Sequence, residues 1–233
     1  MTSSCATTAQ LVLKPETAPR RRPPPLVLKP ETAIPRSDDA CESPSKVHAI
    51  PTWYKKLDEN PKLLELFKAV LKAVHSARTT ALAEQQLKSF ADYKPAEFLP
   101  GICLGSQWNT HDEKFSHLAT VMDDPSIVYS SPESRKVFYA RDDDNTDIMA
   151  LFPQVRDYLD ECIKTGKPTL IHCHAGINRS ATLATAYYCY KTGKTLLDAI
   201  AHMVSLRPII LRNESFLAQL TIWAVENGFA KCE

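Results

Sequence analysis

From about residue 95 onwards, short apolar runs alternate with longer segments whose apolar residues recur at helical spacing. The runs have the length of strands and the longer segments the length of helices. This alternation predicts an α/β fold, in which a central, mostly parallel sheet of about five strands is flanked by helices on both faces. The predicted strands are Gly101–Leu104, Leu118–Met122, Lys136–Ala140 and Pro168–His172, and the predicted helices are Ile148–Thr165, Arg179–Thr192, Thr195–Val204 and Ser215–Asn227.

The stretch "IHCHAGINRS", Ile171–Ser180, lies where the last predicted strand passes into a helix. Binding sites of such sheets lie beyond the carboxyl ends of the strands. A loop that enters a helix also presents backbone N–H groups and the positive end of the helix dipole to anions. Gly176 lets this loop bend, and Arg179 can bind two oxygens of a phosphate. Cys173 is expected to be a thiolate in this position and to attack phosphorus.

The motif His172-Cys173-x-Ala175-Gly176-x-x-Arg179-Ser180 resembles the signature of the cysteine-dependent protein tyrosine phosphatases, and its Ala-Gly and Arg-Ser elements resemble their dual-specificity branch. The likeness extends to "ICLGS" (Ile102–Ser106), to the helices of Ala181–Pro208 and to "RPIILRNESFLAQL" (Arg207–Leu220). The resemblance implies a cysteine phosphatase fold and a protein phosphatase that hydrolyses phosphotyrosine and phosphoserine or phosphothreonine. The reaction would pass through a phosphocysteine intermediate, with no metal or other cofactor.

The resemblance also implies roles for single residues. Cys173 is the expected nucleophile, Arg179 binds the phosphate, and the Ser180 hydroxyl hydrogen-bonds the thiolate. His172 is expected to orient the loop, and Asn213 to support the loop through hydrogen bonds, to cap the following helix, or both. The positions expected to surround the substrate are His174, Ala175, Gly176, Ile177, Asn178 and Arg179.

The reaction also needs an acid, because an alkoxide or phenoxide leaves slowly unless its oxygen is protonated. The candidates lie together in "ARDDDNTDIMALF", Ala140–Phe152. The family pattern has the acid five residues before Asp147 and ten before Phe152, and both counts give Asp142. A slip of one residue would select Asp143 instead. A merely solvated turn is the alternative interpretation of the three consecutive aspartates.

The variable positions of the loop bear on the substrate. They hold no Lys, which lipid-specific relatives usually carry there. Asn178 fits the pattern of related RNA 5′-triphosphatases, whereas Ala175 and Ser180 depart from it, so RNA remains an alternative substrate. The chain lacks the Trp-Pro-Asp loop of tyrosine-specific enzymes. A non-catalytic phosphate-binding adaptor is the third alternative, although such relatives normally lose the Cys or the Arg that this chain keeps.

Residues 1–50 are rich in Pro, Ser, Thr and Arg, and are predicted to form a disordered tail. The tail contains "LVLKPETA" twice, at Leu11–Ala18 and Leu26–Ala33. Its segment Arg20–Leu28 resembles the docking peptides bound by kinases of the MAP-kinase type, in which arginines meet an acidic patch and alternate leucines fill apolar pockets. A neutral duplication is the simpler interpretation of the repeat.

Residues 51–94 are predicted to be a helical extension of a catalytic domain at 95–230. Asn60 and Pro61 fit an N-cap and the first position of a helix. The apolar face of this extension either packs on the domain, which we expect, or forms a dimer contact.

Composition narrows the possible partners and compartments. A net charge of +1 over 233 residues gives no reason to expect nucleic-acid or membrane binding, and no apolar run reaches the ~18 residues of a membrane span. The start of the sequence lacks the apolar region of a secretory signal. The seven irregularly spaced cysteines fit neither a disulfide framework nor a zinc site, so a cytoplasmic, or also nuclear, signalling enzyme is expected. Cys103 is either a core residue or a resolving thiol for oxidised Cys173.

Overall fold

The computed structural model describes residues 51–83, 93–125 and 132–231. The predicted tail, with its repeat and the docking segment Arg20–Leu28, lies outside the described residues.

The α/β fold with a mostly parallel sheet is confirmed. Five strands lie in the order β1-β2-β5-β3-β4, and β1 runs antiparallel to β2 while the other neighbours are parallel. The four predicted strands are present within two residues of their predicted bounds, and β1 is additional. The strands are β1 Ala96–Leu99, β2 Ile102–Ser106, β3 His117–Val121, β4 Ser134–Phe138 and β5 Thr169–Cys173.

Six α-helices lie in the described part of the chain, and their ends follow local signals. The helix that ends at Thr165 is followed by Gly166 in the left-handed region, with φ 68°. The helix that follows Thr195 is capped by that hydroxyl, which accepts the Asp198 N–H at 3.2 Å. None of the described helices is both long and apolar enough to cross a lipid bilayer. The helices are α1 Thr52–Glu59, α2 Pro61–Ala83, α3 Phe152–Thr165, α4 Arg179–Thr192, α5 Leu196–Leu206 and α6 Glu214–Glu226, with short 3-10 helices at Gln107–His111 and Met149–Leu151.

Strand β5 is buried along its whole length, as a central parallel strand should be. Its successive side chains point to opposite faces of the sheet. Ile171 and Cys173 belong to the main core, to which all six helices contribute. Leu170 instead packs in a small cluster with Phe115 and Leu118 on the other face. Cys173, at the end of β5, therefore lies on the face of the sheet that packs against the main core.

Helices α1 and α2 pack on the rest of the described chain. The predicted start of α2 at Pro61 is confirmed, since Asn60 Oδ1 accepts the Leu63 N–H at 3.1 Å. The apolar stripe of α2 is buried in the main core, in contact with α5 and α6, so it is covered within the chain as expected. Arg78 adds a polar contact, because Nη2 donates to the carbonyls of Ile210 at 2.9 Å and Leu211 at 3.1 Å. The buried stripe residues are Leu63, Phe67, Val70 and Val74.

Candidate active site

The five residues 174–178, hereafter the signature loop, join β5 to α4. Cys173 ends the strand and is 1% exposed, and Arg179 begins the helix. The sequence motif thus forms one turn between a strand and a helix, as predicted. The loop lies at the carboxyl end of β5, in line with the N-terminus of a 14-residue helix.

The backbone carbonyls of residues 174–177 all accept hydrogen bonds from groups outside the loop. A trans peptide points each N–H away from the preceding carbonyl, and the described peptides are all trans. The N–H groups of residues 175–178 therefore point towards the inside of the loop, where they can bind an anion. The bonds are Gln107 N–H to His174 O (3.1 Å), Arg207 Nη2 to Ala175 O (3.1 Å), Arg207 Nε to Gly176 O (3.0 Å) and Leu211 N–H to Ile177 O (2.8 Å).

Arg207 supports the signature loop from behind. It is 1% exposed, and besides the two loop carbonyls it donates to Lys94 O at 3.2 Å. Its guanidinium also lies 5.2 Å from the centre of the Tyr93 ring. Burial lowers the pKa of Arg207 below its ordinary value. Sequence reasoning missed this role, because Arg207 stood out only as part of the closing Arg-Pro element.

Two features of the loop, its backbone conformation and its close contact with β2, require a glycine at position 176. Its φ is +66°, which L side chains rarely adopt, and a Cβ on it would lie 2.3 Å from the carbonyl oxygen of Gly105. The end of β2 therefore packs directly against the loop, and only a glycine fits between them.

The side chain of Arg179 is 8% exposed and donates hydrogen bonds to two acceptors. Nη1 donates to Asp123 Oδ1 at 2.9 Å and to the carbonyl of Ala140 at 3.2 Å. A backbone hydrogen bond at Asp123 itself and then the Arg179 guanidinium hold the pKa of the Asp123 carboxyl below its ordinary value. Sequence reasoning missed Asp123, although it follows β3, whose carboxyl end lies beside that of β5. The buried Nε of Arg179 has no hydrogen-bond partner within the described residues.

Asp142 lies at the mouth of the signature loop. Its Oδ2 is 3.8 Å from Arg179 Nε, and its side chain is 32% exposed. It accepts hydrogen bonds from the side-chain amides of Asn178 and Asn213. Asn213 also caps α6, as one of its predicted roles required, since its Oδ1 accepts the Phe216 N–H at 3.0 Å.

Asp143, the alternative acid, faces its own turn. Its Oδ1 accepts the N–H groups of Asn145 and Thr146 and the Thr146 hydroxyl. Although partial burial acts to raise the pKa of Asp143, these hydrogen bonds hold it below its ordinary value. Of the two candidate acids, Asp142 therefore lies near Arg179, whereas Asp143 is bound within its own turn.

His174 forms part of the rim of the site. Its ring packs edge-on against Trp108, with the ring centres 5.3 Å apart, and Trp108 is 36% exposed. The rim therefore offers an aromatic surface beside Cys173. Trp108 belongs to the 3-10 helix after β2, and the sequence motif alone does not reveal it.

His172 lies beneath the loop and is fully buried. Nδ1 is 3.4 Å from the carbonyl of Cys173, so this nitrogen carries the proton, and Nε2 accepts from the Thr120 hydroxyl at 2.9 Å. Arg135 Nε in turn donates to Thr120 Oγ1 at 3.3 Å. Burial lowers the pKa of His172 from 6.5 to about 4, so the imidazole is neutral at physiological pH.

Lowering the pH through the window from 6.5 to about 4 should destabilise the protein through His172. In this window the unfolded state binds the proton and the folded state does not, so the free energy of unfolding falls as the pH falls. At about 1.4 kcal/mol per pKa unit, the full effect is about 3 kcal/mol. Denaturant unfolding of wild type and His172→Asn across the window tests this. The variant should show a shallower pH dependence, and an unchanged slope would contradict the assignment.

Ser180 and Cys103 are the two remaining side chains for which the sequence suggested a role beside Cys173. The Ser180 hydroxyl is buried without a hydrogen-bond partner among the described residues, so its expected bond to Cys173 is not formed in this structure. Cys103 cannot act as a resolving thiol, because the β2–β5 register pairs it with Leu170 and pairs Ser106 with Cys173. The offset is about 10 Å along the sheet. A disulfide needs Cα atoms within about 7 Å.

Cys103 is a core residue instead. It packs with the small apolar cluster on the face opposite Cys173. Burial raises the pKa of the Cys103 thiol to about 11, which makes it a poor nucleophile.

Comparison with known proteins finds dual specificity phosphatases, which are the proteins that the sequence motif resembles. The family model "Dual specificity phosphatase, catalytic domain" matches residues 105–226. Dual specificity protein phosphatase 1 of Arabidopsis thaliana is 28% identical over 168 residues, which cover 69% of this chain and 80% of the relative. A protein phosphatase Slingshot homolog of Xenopus laevis is 29% identical over 180 residues, or 69% of this chain and 26% of the relative. The crystal structure of DUSP15 superposes with a TM-score of 0.53 at 26% identity, covering 58% of this chain and 91% of that one.

The match to the family model takes in β5, the signature loop and helices α3 to α6, whereas α1 and α2 precede it. It therefore includes the strand, the turn and the helix that bring Cys173 and Arg179 together, and also Asp142. By its fold, by its signature loop and by this match over half its length, the chain belongs to the dual specificity phosphatases of the protein tyrosine phosphatase superfamily.

Proposed function

We propose that the protein removes phosphate from phosphotyrosine and from phosphoserine or phosphothreonine in other proteins, with Cys173 as nucleophile, Arg179 as phosphate ligand and Asp142 as general acid and base. The observation that carries the proposal is the convergence of three features on one loop. The N–H groups point inward, Arg179 lies beside them, and Asp142 lies 3.8 Å from Arg179.

In the first step the Cys173 thiolate attacks phosphorus, and the S–P bond forms as the bond to the leaving oxygen breaks. Asp142 gives its proton to that oxygen, so an alcohol or phenol departs. The loop N–H groups and Arg179 stabilise the charge on the three remaining oxygens. Because these donors are held in place before substrate arrives, they need little reorganisation during the reaction.

In the second step the Asp142 carboxylate takes a proton from water as the water oxygen attacks phosphorus. The S–P bond breaks, inorganic phosphate leaves, and Cys173 returns as a thiolate. The Ser180 hydroxyl would then donate a hydrogen bond to the departing sulfur. Its lack of any hydrogen-bond partner among the described residues supports this role, because a buried hydroxyl rarely stays unpaired.

The unpaired Nε of Arg179 supports phosphate binding in the same way. A buried guanidinium nitrogen without an acceptor is unfavourable, and a phosphate oxygen at the loop would supply that acceptor. The Nη1 atom is already bound to Asp123 and Ala140, which fixes the plane of the guanidinium.

The exposed position of Asp142 supports activity on both short and long phosphorylated side chains. The hydrogen bonds between Asp142 and Asn178 are exposed at the surface, and so is part of the Trp108 ring. A short phosphoserine or phosphothreonine side chain can therefore bring its leaving oxygen to Asp142 as a longer phosphotyrosine can.

The proposal is tested by phosphate release from phosphotyrosine and phosphothreonine peptides and from RNA with a 5′-triphosphate. We expect turnover of both kinds of peptide and little of the RNA. Turnover of RNA alone would replace the proposal by the RNA 5′-triphosphatase alternative. Peptide binding without any turnover would replace it by the adaptor alternative.

A further inference from the structure

The side-chain amide of Asn178 joins three segments that meet at the active site. Its Oδ1 accepts the backbone N–H groups of Arg212 at 2.9 Å and Asn213 at 3.2 Å. Its Nδ2 donates to both carboxylate oxygens of Asp142, at 3.1 Å and 3.2 Å. The signature loop, the segment before α6 and the acid-bearing segment are thus connected through one side chain.

The neighbours of Asn178 fix which way its amide points. Two backbone N–H groups can only donate, so the oxygen must face them, and the NH₂ group must face Asp142. The reversed amide would place donor against donor on one side and acceptor against acceptor on the other. The contact with Asp142 is therefore a consequence of the contact with residues 212 and 213.

Asn213 makes a second contact of the same kind. Its Oδ1 is occupied by the cap of α6, which leaves Nδ2 to donate to Asp142 Oδ1 at 3.2 Å. Oδ1 of Asp142 thus accepts from two amides, whereas Oδ2 accepts from one and is the oxygen near Arg179. Oδ2 is therefore the carboxylate oxygen with fewer hydrogen bonds to the two amides.

We propose that Asn178, assisted by Asn213, is a positioning residue that holds Asp142 over the signature loop with Oδ2 turned towards the leaving group. The inference rests on the proposed role of Asp142 as general acid. Asp142 lies in an irregular segment between β4 and α3 and is partly exposed, so its own segment gives the carboxylate little support. Precise placement of an acid contributes strongly to its efficiency. A serine at position 178 is too short to make the same set of contacts.

The test measures how kcat/KM depends on the basicity of the leaving group in a series of aryl phosphates. An acid in place makes the rate nearly independent of leaving-group basicity, because the oxygen departs protonated. Asp142→Asn should therefore show a steep dependence. Asn178→Ser should show an intermediate one, with about a tenfold loss on the most basic leaving group and little loss on nitrophenyl phosphate.

Two further variants separate positioning from general damage. Asn213→Asp keeps an oxygen to cap α6 but turns a carboxylate towards Asp142, so it should also steepen the dependence. Thr182→Val is the matched control. It removes a 2.9 Å hydrogen bond from the Thr182 hydroxyl to the backbone carbonyl of Asn178 and leaves the amide untouched. It should retain the wild-type dependence.

The outcomes distinguish this inference from the proposed function. If kcat/KM depends steeply on leaving-group basicity in Asp142→Asn but shows the wild-type dependence in Asn178→Ser, the positioning role is wrong while Asp142 remains the acid. If Asn178→Ser loses the same factor on every leaving group, it damages the loop as a whole, and the positioning role is again overturned. If Asp142→Asn shows no extra loss on basic leaving groups, the assignment of the acid itself fails.

Discussion

Cys173→Ser should abolish phosphate release from every substrate, with a loss on the order of 10⁴-fold or more. The serine hydroxyl fits the same space, but it stays protonated at neutral pH and is a far weaker nucleophile than a thiolate. Arg179 and the inward-facing N–H groups of the loop are unaffected, so the variant should still bind phosphopeptides. Steady-state phosphate release and peptide binding by titration calorimetry measure the two effects separately.

Cys103→Ser is the matched control, because it makes the same chemical change on the opposite face of the same sheet. It should retain wild-type turnover. The two cysteines should also differ towards an alkylating agent, since only Cys173 lies where inorganic phosphate would shield it. Residual turnover in Cys173→Ser close to that of wild type would show that another group is the nucleophile.

The strands, the helices and the signature loop could be predicted because each has a local signal. Apolar runs give the strands, and a Cys and an Arg six residues apart, around a glycine, give the loop. Strand β1 was missed, because its four residues include a single buried side chain, Phe98, and make an edge strand without a clear pattern. The four helices predicted beyond residue 95 lie within a few residues of their predicted bounds, and the one at Ile148 begins as a 3-10 turn instead.

The groups that hold the site together could not be predicted, because their partners are distant in sequence. Arg207 joins Lys94 to the loop, and Asn178 joins Asp142 to the start of α6. The spacing of apolar residues along the chain gives no information about such contacts. The position of Asp123 near the site could have been predicted from a general rule, since residues at the carboxyl ends of adjacent parallel strands meet at one edge of the sheet. The choice between the two roles of Cys103 also needed the structure, because strand register is set by pairing and not by composition.

Arg207→Met should lower both the stability of the protein and its affinity for phosphate. The variant leaves the carbonyls of Lys94, Ala175 and Gly176 without their buried donors. Each lost donor is expected to destabilise the fold by about 1–3 kcal/mol. Because two of these carbonyls belong to the loop, their peptides become free to rotate, and their N–H groups then no longer converge on the anion. Phosphate binding should weaken about tenfold or more.

Denaturant unfolding and competitive inhibition by inorganic phosphate, measured on the same variants, separate the two effects. Tyr187→Phe is the control, since it removes a hydrogen bond from the buried Tyr187 hydroxyl to Asp160 Oδ1 at 2.8 Å, between α4 and α3 and away from the signature loop. It should lose stability with little change in phosphate inhibition. Arg207→Lys should be intermediate, because an ammonium group keeps the charge but cannot bind two carbonyls in the plane of a guanidinium. If Arg207→Met is folded and binds phosphate as tightly as wild type, the loop holds its shape without this side chain, and the account of the inward-facing N–H groups must be revised.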